Sequence, residues 1–541
     1  MVPEEWKAQV QPALLLFLAL LLCLELCWCL WRRDKGRRRP PGPFAWPLVG
    51  NAMQLGKSPH LTFSRMARRY GDLFQIRLGG RDIVVLNGDA TIRQALLQHS
   101  AKFAGRPDFA SFRLVSGGKS MAFGQYNVQW KVHRRLAQSA VRSFSTADAR
   151  ARRVLEYHVQ GEARQLLRVF LRLGADGQHF QPCPELTVAA ANVMCALCFG
   201  RRYSHDDQEF RRLLGRTYRF GRTVGAGSLV DVMPWLQSFP NPVRSIYRDF
   251  QQLNREFFEF VRSKVEQHRR TYHPGTTRDM SDAFIQALDG DKLAQEGLSP
   301  EHAEGSVTDI LGASQDTTST ALSWILFHLI QFPQLQAKLQ RDIDQVVGRD
   351  RLPRAQDKAH LPFLEAFLYE IMRFTSFVPM TIPHATTSPV DINGYHIPQD
   401  TVVFINQWSV NHDCDKWKDP GTFEPGRFLN ADGSINKDLT SSVMIFSVGK
   451  RRCIGEQLSK IQIFLFTAIL VHQCTFEANP AEKLTMDCHY GLTVKPVSFT
   501  VLVRLRDKFV QEAAEADGDG DGQPSESTDC RTAPTTLHTQ S

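Results

Sequence analysis

The chain has 541 residues, of which 43% are hydrophobic and 22% charged, and its formal net charge is +9. This composition excludes a disordered chain and is typical of a globular protein with a large core. Its eleven cysteines are odd in number and unevenly spaced, which argues against a disulfide framework and favours a reducing compartment. The positive charge fits a membrane surface or an acidic protein partner. Because no nucleic-acid-binding motif accompanies the charge, we expect no nucleic-acid partner.

The first predicted element is an apolar run over residues 13–31, interrupted only by Glu25. A run of this length can cross a bilayer core of about 30 Å. Basic residues follow the run and two glutamates precede it, so the positive-inside rule places the C-terminal side in the cytoplasm. A cleaved signal peptide is the alternative, but the run lacks a basic start and a small-residue cleavage site. We therefore predict an uncleaved membrane anchor over residues 1–31.

A basic and proline-rich hinge segment over residues 32–52 is expected to be extended, because its prolines cannot lie inside a helix. The alternating residues 73–78 and 83–86 then predict a hairpin, with Gly79 and Gly80 at its turn. Over residues 90–471 most windows show helical periodicity, and strand patterns return near residues 402–405 and 499–503. We predict a catalytic domain over residues 53–508 and a disordered acidic tail over residues 509–541.

Two residue pairs occur early in the helical region. Trp130 and Arg134 are four residues apart, so they share one face of a predicted helix. Such a pair can bind an anionic group. The alternative is that Arg134 is simply an exposed surface arginine. Cys195 and Cys198 have the spacing of a metal or redox pair, but they lie in an apolar run without a second cysteine pair or a nearby histidine. We expect these two cysteines to pack in the core.

Polar residues interrupt two long apolar helical segments. In residues 307–330, Asp316 and Thr317 place an acid next to a hydroxyl, where such side chains can loosen a helix and leave a polar notch. In residues 361–374, Glu370 and Arg373 are surrounded by Leu, Phe, Ile and Met. An exposed pair at this spacing would contribute little, whereas buried charges need each other. We predict that this second pair is buried.

The run over residues 446–455 contains Cys453 between Gly449 and Gly455, after three basic residues and before an apolar helical pattern. Positive charges and the free N–H groups at the start of a helix both favour an ionised sulfur. We therefore predict a lowered pKa and a thiolate at Cys453. A buried structural cysteine is the alternative.

The order of Phe446, Gly449, Arg451, Cys453 and Gly455 matches Phe-x-x-Gly-x-Arg-x-Cys-x-Gly, and it resembles the haem-binding loop of cytochrome P-450 haem-thiolate monooxygenases. Across residues 40–505 the chain is similar to family one, the aryl-hydrocarbon group, and most similar to its B and C branches. The resemblance implies the cytochrome P-450 fold, which is mainly α with small β-sheets (α+β). That fold forms a single large catalytic domain behind an N-terminal transmembrane helix.

The resemblance also implies a cofactor and the residues that hold it. The cofactor would be haem b, with Cys453 as the thiolate ligand of the iron, which favours O–O cleavage. Phe446 and Gly449 would shape the loop around it. The implied contacts to the haem propionates are Trp130, Arg134, Arg106, His384 and Arg451.

Further residue roles follow from the same resemblance. Thr317 would hydrogen-bond dioxygen, and Asp316 would lie on the path that delivers protons. Ser314 replaces the glycine that is common in the family, which leaves the shape of the oxygen groove open. Glu370 and Arg373 would form a structural motif whose third partner is Arg427. The residues implied to line a narrow, flat substrate pocket are Phe123, Phe220, Phe257, Ala313, Val378, Ile382 and Thr493.

The resemblance implies a microsomal monooxygenase that inserts one atom of O2 into lipophilic planar substrates. The expected substrates are polycyclic aromatic hydrocarbons, oestrogens and other steroids, with retinoids and fatty acids as further candidates. The chain has no dinucleotide-binding or Walker motif, so its electrons must come from another protein. The expected partners are NADPH-cytochrome reductase, which would dock near Lys450 and Arg452, and cytochrome b5.

We expect the protein in the endoplasmic reticulum membrane, with its catalytic domain on the cytoplasmic face. Two alternatives remain open at this stage. One is a haem-thiolate isomerase or dehydratase that acts on peroxides without a reductase, for which Asp316 and Thr317 would be dispensable. The other is a haem-binding membrane scaffold without enzymatic activity.

Overall fold

The computed structural model describes residues 38–223, 229–288 and 296–506, without the side chains of residues 218–223. The predicted anchor over residues 1–31 and the predicted tail over residues 509–541 lie outside the described residues. Within the described ranges, none of the helices combines the length and the hydropathy that a bilayer crossing requires.

Most of the described chain is helical, as the periodicity of the apolar residues predicts. Proline stands in the first turn of several helices, where its missing N–H costs nothing. The α-helices are α1 (Ala52–Leu55), α2 (Pro59–Tyr70), α3 (Asp89–Arg93), α4 (Ala110–Leu114), α5 (Val128–Ser143), α6 (Ala149–Leu173), α7 (Cys183–Phe199), α8 (Gln208–Thr223), α9 (Leu229–Val232), α10 (Pro242–Thr271), α11 (Met280–Leu288), α12 (Glu301–Gln331), α13 (Pro333–Val347), α14 (Pro362–Thr375), α15 (Gln407–Asn411), α16 (Lys437–Ser442) and α17 (Glu456–Gln473). Short 3-10 turns lie at Val115–Gly118, Ala175–Gly177, Pro234–Gln237, Ala355–His360, Pro425–Phe428 and Gly449–Arg451, and a π-helical turn lies at Gln94–Gln98.

The strands form one four-stranded sheet and three two-stranded sheets. They are β1 (Leu73–Leu78), β2 (Arg81–Leu86), β3 (His384–Ala385), β4 (Val390–Ile392), β5 (Tyr395–Ile397), β6 (Val402–Ile405), β7 (Cys474–Ala478), β8 (Cys488–Tyr490), β9 (Val494–Pro496) and β10 (Val501–Leu505). The larger sheet has the order β1-β2-β6-β3, and the pairs are β7 with β10, β4 with β5 and β8 with β9. In the larger sheet, β2 pairs antiparallel with β1 and parallel with β6. The predicted hairpin is confirmed, and so is the strand at residues 402–405. The last strand begins two residues later than predicted.

The prediction of an extended hinge segment holds only in part, because residues 47–49 form a turn and α1 begins at Ala52. The segment is also not a free linker. The Gln75 N–H donates to the Pro41 carbonyl over 2.7 Å, and the Asn51 N–H donates to the Arg77 carbonyl over 2.6 Å. Because Gln75 and Arg77 belong to β1, the hinge segment covers the edge of β1 that faces away from β2. The unpaired backbone groups of an edge strand are thereby satisfied within the chain.

Helix α12 runs through the main hydrophobic core and is buried at nearly every position. The exceptions in its middle are Gly312, Ala313, Ser314 and Thr317, whose accessible surface marks an internal cleft. Helix α7 packs against α12 and is almost completely buried. Its Cys195 and Cys198 lie in the core as predicted, and burial raises the pKa of both thiols.

Candidate functional site

The loop that carries Cys453 depends on a glycine. Gly449 has a φ of +78°, and a Cβ at this position would lie 2.0 Å from the Leu96 carbonyl oxygen. Only glycine fits, because a side chain would be both strained and in collision with the backbone. The Cys453 N–H donates to the Phe446 carbonyl over 2.9 Å, and α17 begins three residues later at Glu456. The sulfur is thus held on a tight turn in front of a helix N-terminus.

The predicted lowering of the Cys453 pKa is wrong for the protein chain by itself. Burial raises the pKa of this thiol, because protein surrounds the sulfur even though one side of the residue is accessible. The Gly455 N–H, Arg134 and Arg452 lower the pKa as expected, but the carboxylate of Glu456 opposes them. The positive charges near Cys453 are visible in the sequence, whereas the desolvation of its sulfur depends on the folded structure. A bound metal ion would reverse the balance, since a coordinating thiol is deprotonated outright.

Three guanidinium groups, those of Arg106, Arg134 and Arg451, gather close to Cys453. The carbon at the centre of the Arg451 guanidinium lies 4.0 Å from the centroid of the Trp130 ring, and that of Arg134 lies 5.5 Å from it. Burial and repulsion from the other arginines lower the pKa of Arg106 to about 9 and that of Arg451 to about 7. The pKa of Arg134 is lowered chiefly by burial.

Within the described ranges none of these three arginines forms an ion pair with a carboxylate. Clustered buried cations without an anion are costly, so the cluster is suited to a ligand with negative charge. Haem carries two propionates on one edge, and in haem-thiolate proteins a cysteine thiolate is the ligand of its iron. The residues present therefore fit a haem group, with Cys453 as ligand and the arginines toward the propionates.

Backbone carbonyls fix the orientation of these side chains. Arg451 Nε donates to the Ala104 carbonyl over 2.9 Å, and Arg106 Nη1 donates to the Pro383 carbonyl over 2.8 Å. The Trp130 indole N–H donates to the Met121 carbonyl over 2.8 Å. We expected this indole N–H to donate to a haem propionate. It donates to a backbone carbonyl instead, which satisfies a buried donor within the protein. The ring instead supports the guanidinium of Arg451.

His384 also lies beside the arginine cluster. Its Nδ1 is 2.6 Å from the Phe103 carbonyl, and burial and the charge of Arg106 hold its pKa well below the usual range. The imidazole is therefore neutral, and its Nδ1–H donates to that carbonyl.

Asp316 and Thr317, which were predicted to act together, have side chains in different environments. The Thr317 hydroxyl donates to the Ala313 carbonyl over 2.9 Å, and both residues face the cleft. The Asp316 carboxylate is buried, with Oδ1 2.5 Å from Lys495 Nζ and Oδ2 accepting from Thr493 Oγ1 over 2.8 Å. No hydrogen bond joins Asp316 to Thr317 in the described structure.

Lys495 is a residue that sequence reasoning missed. It lies in β9 and is only 2% exposed. The sequence does show a single lysine between apolar neighbours. Because lysine is almost never buried without a partner, this pattern could have indicated a buried ion pair.

The predicted pocket residues differ in burial and in their contacts. The ring of Phe123 lies 4.7 Å from that of Phe112, centroid to centroid. Phe257 is buried, and a Cβ at Gly312 would contact its ring at 3.5 Å. Thr493 is buried and engaged with Asp316. The remaining predictions are Ala313, which is exposed to the cleft, Val378 and Ile382, which are half-buried, and Phe220, whose side chain lies outside the described part.

The buried pair of Glu370 and Arg373 has the third partner that the sequence suggested. Arg373 donates twice to Glu370, over 2.7 and 2.8 Å, and both residues are fully buried. Arg427 Nε donates to the same carboxylate over 3.1 Å. The three side chains tie α14 to the turn at Pro425–Phe428.

The basic residues before Cys453 differ in their availability to a protein partner. Lys450 is exposed. Arg452 is also largely exposed, but its Nε donates to Glu456 over 2.7 Å. Lys450 is therefore the better candidate for a contact with an acidic surface.

The chain is similar to known proteins over most of its length. The family described as Cytochrome P450 matches residues 40–503. The chain is 58% identical over 509 residues to "Cytochrome P450 1B1" of Homo sapiens, which covers 92% of this chain and 93% of that protein. It is 43% identical over 490 residues to "Cytochrome P450 1A1" of Felis catus, covering 88% and 94%. With "Cytochrome P450 1A1" of Pleuronectes platessa it shares 46% identity over 471 residues, covering 85% and 89%.

Proposed function

The chain belongs to the cytochrome P450 family, as a monooxygenase of family one close to its B branch, and from this premise we propose that it oxidises flat, lipophilic molecules at the endoplasmic reticulum membrane. The proposed substrates are polycyclic aromatic hydrocarbons, oestrogens and other steroids. The single observation that carries the proposal is the site around Cys453, where a thiol on a glycine-dependent turn lies near a group of three arginines that have no carboxylate partner among the described residues.

The cofactor of this family is a haem-thiolate, and we propose that it is haem b. Bound haem supplies the activation of dioxygen, because thiolate ligation favours O–O cleavage. Cys453 would be the ligand of its iron, and Arg106, Arg134 and Arg451 would neutralise its propionates. His384 would lie beside the same arginines, but its Nε2 carries no proton while Nδ1–H donates to the Phe103 carbonyl, so it could donate to a propionate only after gaining a proton.

The cleft beside α12 supports a flat substrate. Gly312 and Ala313 give α12 a smooth surface there, and the ring of Phe257 lies against Gly312. Aromatic faces favour offset stacking on planar ligands by about 0.5 to 1.5 kcal/mol per pair beyond buried area. Ser314 and Thr317 add hydroxyl groups to this wall, and the Ser314 hydroxyl donates to the Leu311 carbonyl over 3.1 Å. The place of Thr317 in the cleft suits a group that hydrogen-bonds dioxygen, as we propose.

Proton delivery would involve Asp316 together with its ion-pair partner. The carboxylate is held by Lys495 and Thr493, so a proton reaches Thr317 only if Asp316 turns or water bridges the two side chains. We propose that this buried pair forms part of the proton supply of the cleft.

Electrons would come from NADPH-cytochrome reductase, with cytochrome b5 as a second donor. Lys450 is exposed next to the Cys453 loop, and the chain is basic overall. Both features favour an acidic flavoprotein as the partner.

The proposal is tested with the full chain in a membrane preparation. The reduced carbon monoxide difference spectrum reports the thiolate ligand, and hydroxylated product from oestradiol or pyrene reports the activity. We expect product only with NADPH and reductase present. Rearrangement of a peroxide without reductase would instead support the isomerase or dehydratase, and bound haem without any turnover would support the scaffold.

Thr317→Ala tests the role of the hydroxyl in the cleft. We expect the variant to consume NADPH but to release several-fold more peroxide per molecule of product, because protons are delivered less accurately without the hydroxyl. Thr318→Ala is the matched control, since Thr318 is the adjacent buried threonine. Unchanged coupling in Thr317→Ala would contradict the assigned role.

A further inference from the structure

Asp309 of α12 is a buried acid that neither the sequence patterns nor the proposed chemistry uses. Its carboxylate accepts hydrogen bonds from Ser116 Oγ over 2.5 Å, from Ser120 Oγ over 2.9 Å and from the Ala122 N–H over 2.9 Å. These three donors come from one loop, residues 115–124, which is nearly 190 positions away in the sequence. One side chain of the central helix therefore holds a complete loop.

The backbone of the 115–124 loop is strained, so the loop depends on these hydrogen bonds to Asp309. Ser116, Gly117 and Gly118 have φ values of +55°, +61° and +79°, so three successive residues are left-handed. For a non-glycine residue such as Ser116 this conformation is strained. The loop also lies directly on the helix, since a Cβ at Gly305 would be 2.4 Å from the Lys119 carbonyl oxygen.

Ser120 connects Asp309 to the backbone of Phe123. Ser120 donates to Asp309, and Ser120 Oγ accepts the N–H of Phe123 over 3.0 Å. The Phe123 ring then packs on Phe112 and is half-exposed. A change at Asp309 therefore moves the backbone from which this ring projects.

The same loop supplies acceptors to the haem-side residues. The Ala122 carbonyl accepts from Arg106 Nε over 2.9 Å, and the Gly124 carbonyl accepts from Arg451 Nη2 over 2.7 Å. Arg106 also donates to the carbonyl of Ile382 over 3.0 Å, which ties a second predicted pocket residue to the loop. The loop thus joins the arginine cluster to Phe123, which the family resemblance implies to be a pocket residue, and Asp309 is its attachment to α12.

We propose that Asp309 is a positioning residue that sets the place of Phe123 and thereby the thickness of the ligand that the cleft admits. The inference rests on the proposed function, in which flat molecules bind beside α12. Asp309 itself touches neither substrate nor cofactor in this assignment. It acts through Ser120 and the 115–124 loop.

The test compares two ligands with the same carbon skeleton and different thickness. Pyrene is flat, and perhydropyrene is its saturated, thicker counterpart. Binding of pyrene to the haem-loaded full chain is followed by pyrene fluorescence, and perhydropyrene is measured by displacement. The readout is the ratio of the two dissociation constants, which a general loss of stability does not shift in a particular direction. Haem loading is checked by the reduced carbon monoxide spectrum.

We expect the preference for pyrene to fall roughly fivefold in Asp309→Ala, as the loss of one effective hydrogen bond to the loop would produce. Ser120→Ala should reduce it in the same direction, because it removes only the step between Asp309 and Phe123. This second variant decides the question if Asp309→Ala fails to fold. Glu304→Ala is the matched control, since Glu304 is a buried acid of the same helix that pairs with Arg269.

An unchanged preference in both Asp309→Ala and Ser120→Ala would overturn the inference and leave the proposed function intact. A reduced preference in Glu304→Ala as well would also overturn it, since the effect would then belong to α12 in general. A wild-type chain that binds perhydropyrene as tightly as pyrene would contradict the flat pocket itself, and the inference with it.

Discussion

Lys495 and Asp316 form a buried ion pair whose partners are separated by most of the C-terminal half of the chain. Their side chains are 2% and 8% exposed, and Lys495 Nζ lies 2.5 Å from Asp316 Oδ1. A buried carboxylate that loses its counter-ion is strongly destabilised, whereas a pair removed together often costs little. The pair therefore allows a double-mutant test.

Lys495→Met is expected to lower the free energy of unfolding by about 3 kcal/mol, because Asp316 is left buried and uncompensated. The double variant Lys495→Met/Asp316→Asn should recover most of this loss. Urea denaturation of the single and double variants measures the coupling energy. A double variant as unstable as Lys495→Met would contradict the pairing.

At the level of single residues, the local pattern predicted the glycine-dependent turn around Cys453 but not the surroundings of its thiol. The glycines and the basic residues around Cys453 lie within ten positions of it, so their meaning is visible in the sequence. The pKa of its thiol depends on burial, and the direction of Asp316 depends on Lys495, which is 179 positions away. Neither the depth of a side chain nor a partner so distant is encoded in a local motif.

Helix α14 is connected to its surroundings by the cluster of Glu370, Arg373 and Arg427. One carboxylate accepts from two guanidinium groups, and two of the three side chains are fully buried. The cluster fixes the turn at Pro425–Phe428 against α14, so its loss separates two elements as well as two charges.

Glu370→Gln is expected to destabilise the protein by about 3 kcal/mol or more, because Arg373 keeps its buried charge without an anion. Arg504→Ala is the contrasting control, since Arg504 pairs with Glu477 on the surface and its loss should cost less than about 1 kcal/mol. Urea denaturation measures both. Similar losses in the two variants would argue against a special role for the buried cluster.

Helices α6 and α7 share a histidine that is held between two acids. His205 Nε2 lies 2.6 Å from Glu162 of α6, and His205 Nδ1 lies 3.3 Å from Glu185 of α7. Burial by itself would lower the pKa of His205, but the hydrogen bonds to both carboxylates outweigh it and raise the pKa to about 9. The folded chain therefore keeps a proton that the unfolded chain releases near pH 6.5.

The contribution of His205 to stability is expected to be complete below about pH 6.5 and to disappear as the pH rises toward 9. Wild-type protein should lose more unfolding free energy over this range than His205→Gln does. Urea denaturation at several pH values gives the comparison. His273→Gln, a change at an exposed histidine, should retain the wild-type slope. Parallel curves for wild type and His205→Gln would contradict the assignment.

Element by element, the long periodic segments were predictable and the connections were not. The middle helix and the β1–β2 hairpin follow from apolar spacing and from paired glycines. The 115–124 loop also contains paired glycines, Gly117 and Gly118, which permit its left-handed backbone, but its position against α12 depends on Asp309. A loop whose position depends on a distant side chain cannot be derived from its composition.

On the scale of the molecule, the positive charge next to the Cys453 loop is expected to govern the encounter with the reductase. Charges at the edge of an interface mainly change the rate of association, and salt screens their effect. Lys450 is exposed in the position that this role requires.

Lys450→Glu should slow reduction by the reductase roughly fivefold at low salt, and the difference should shrink at high ionic strength. Peroxide-supported turnover, which needs no reductase, should remain at the wild-type rate. Lys57→Glu is the control, with the same charge reversal at an exposed lysine between α1 and α2. Equal slowing in both variants would indicate a general charge effect without a specific contact.

The way in which the hinge segment lies along β1 has a practical consequence for shortened versions of the protein. A chain that starts at Arg38 keeps the hinge segment along β1. A chain that starts at Pro59 lacks this segment and leaves the Gln75 N–H and the Arg77 carbonyl without these hydrogen-bond partners. Open strand edges recruit other strands, so the shorter version should aggregate during purification while the longer one stays dispersed.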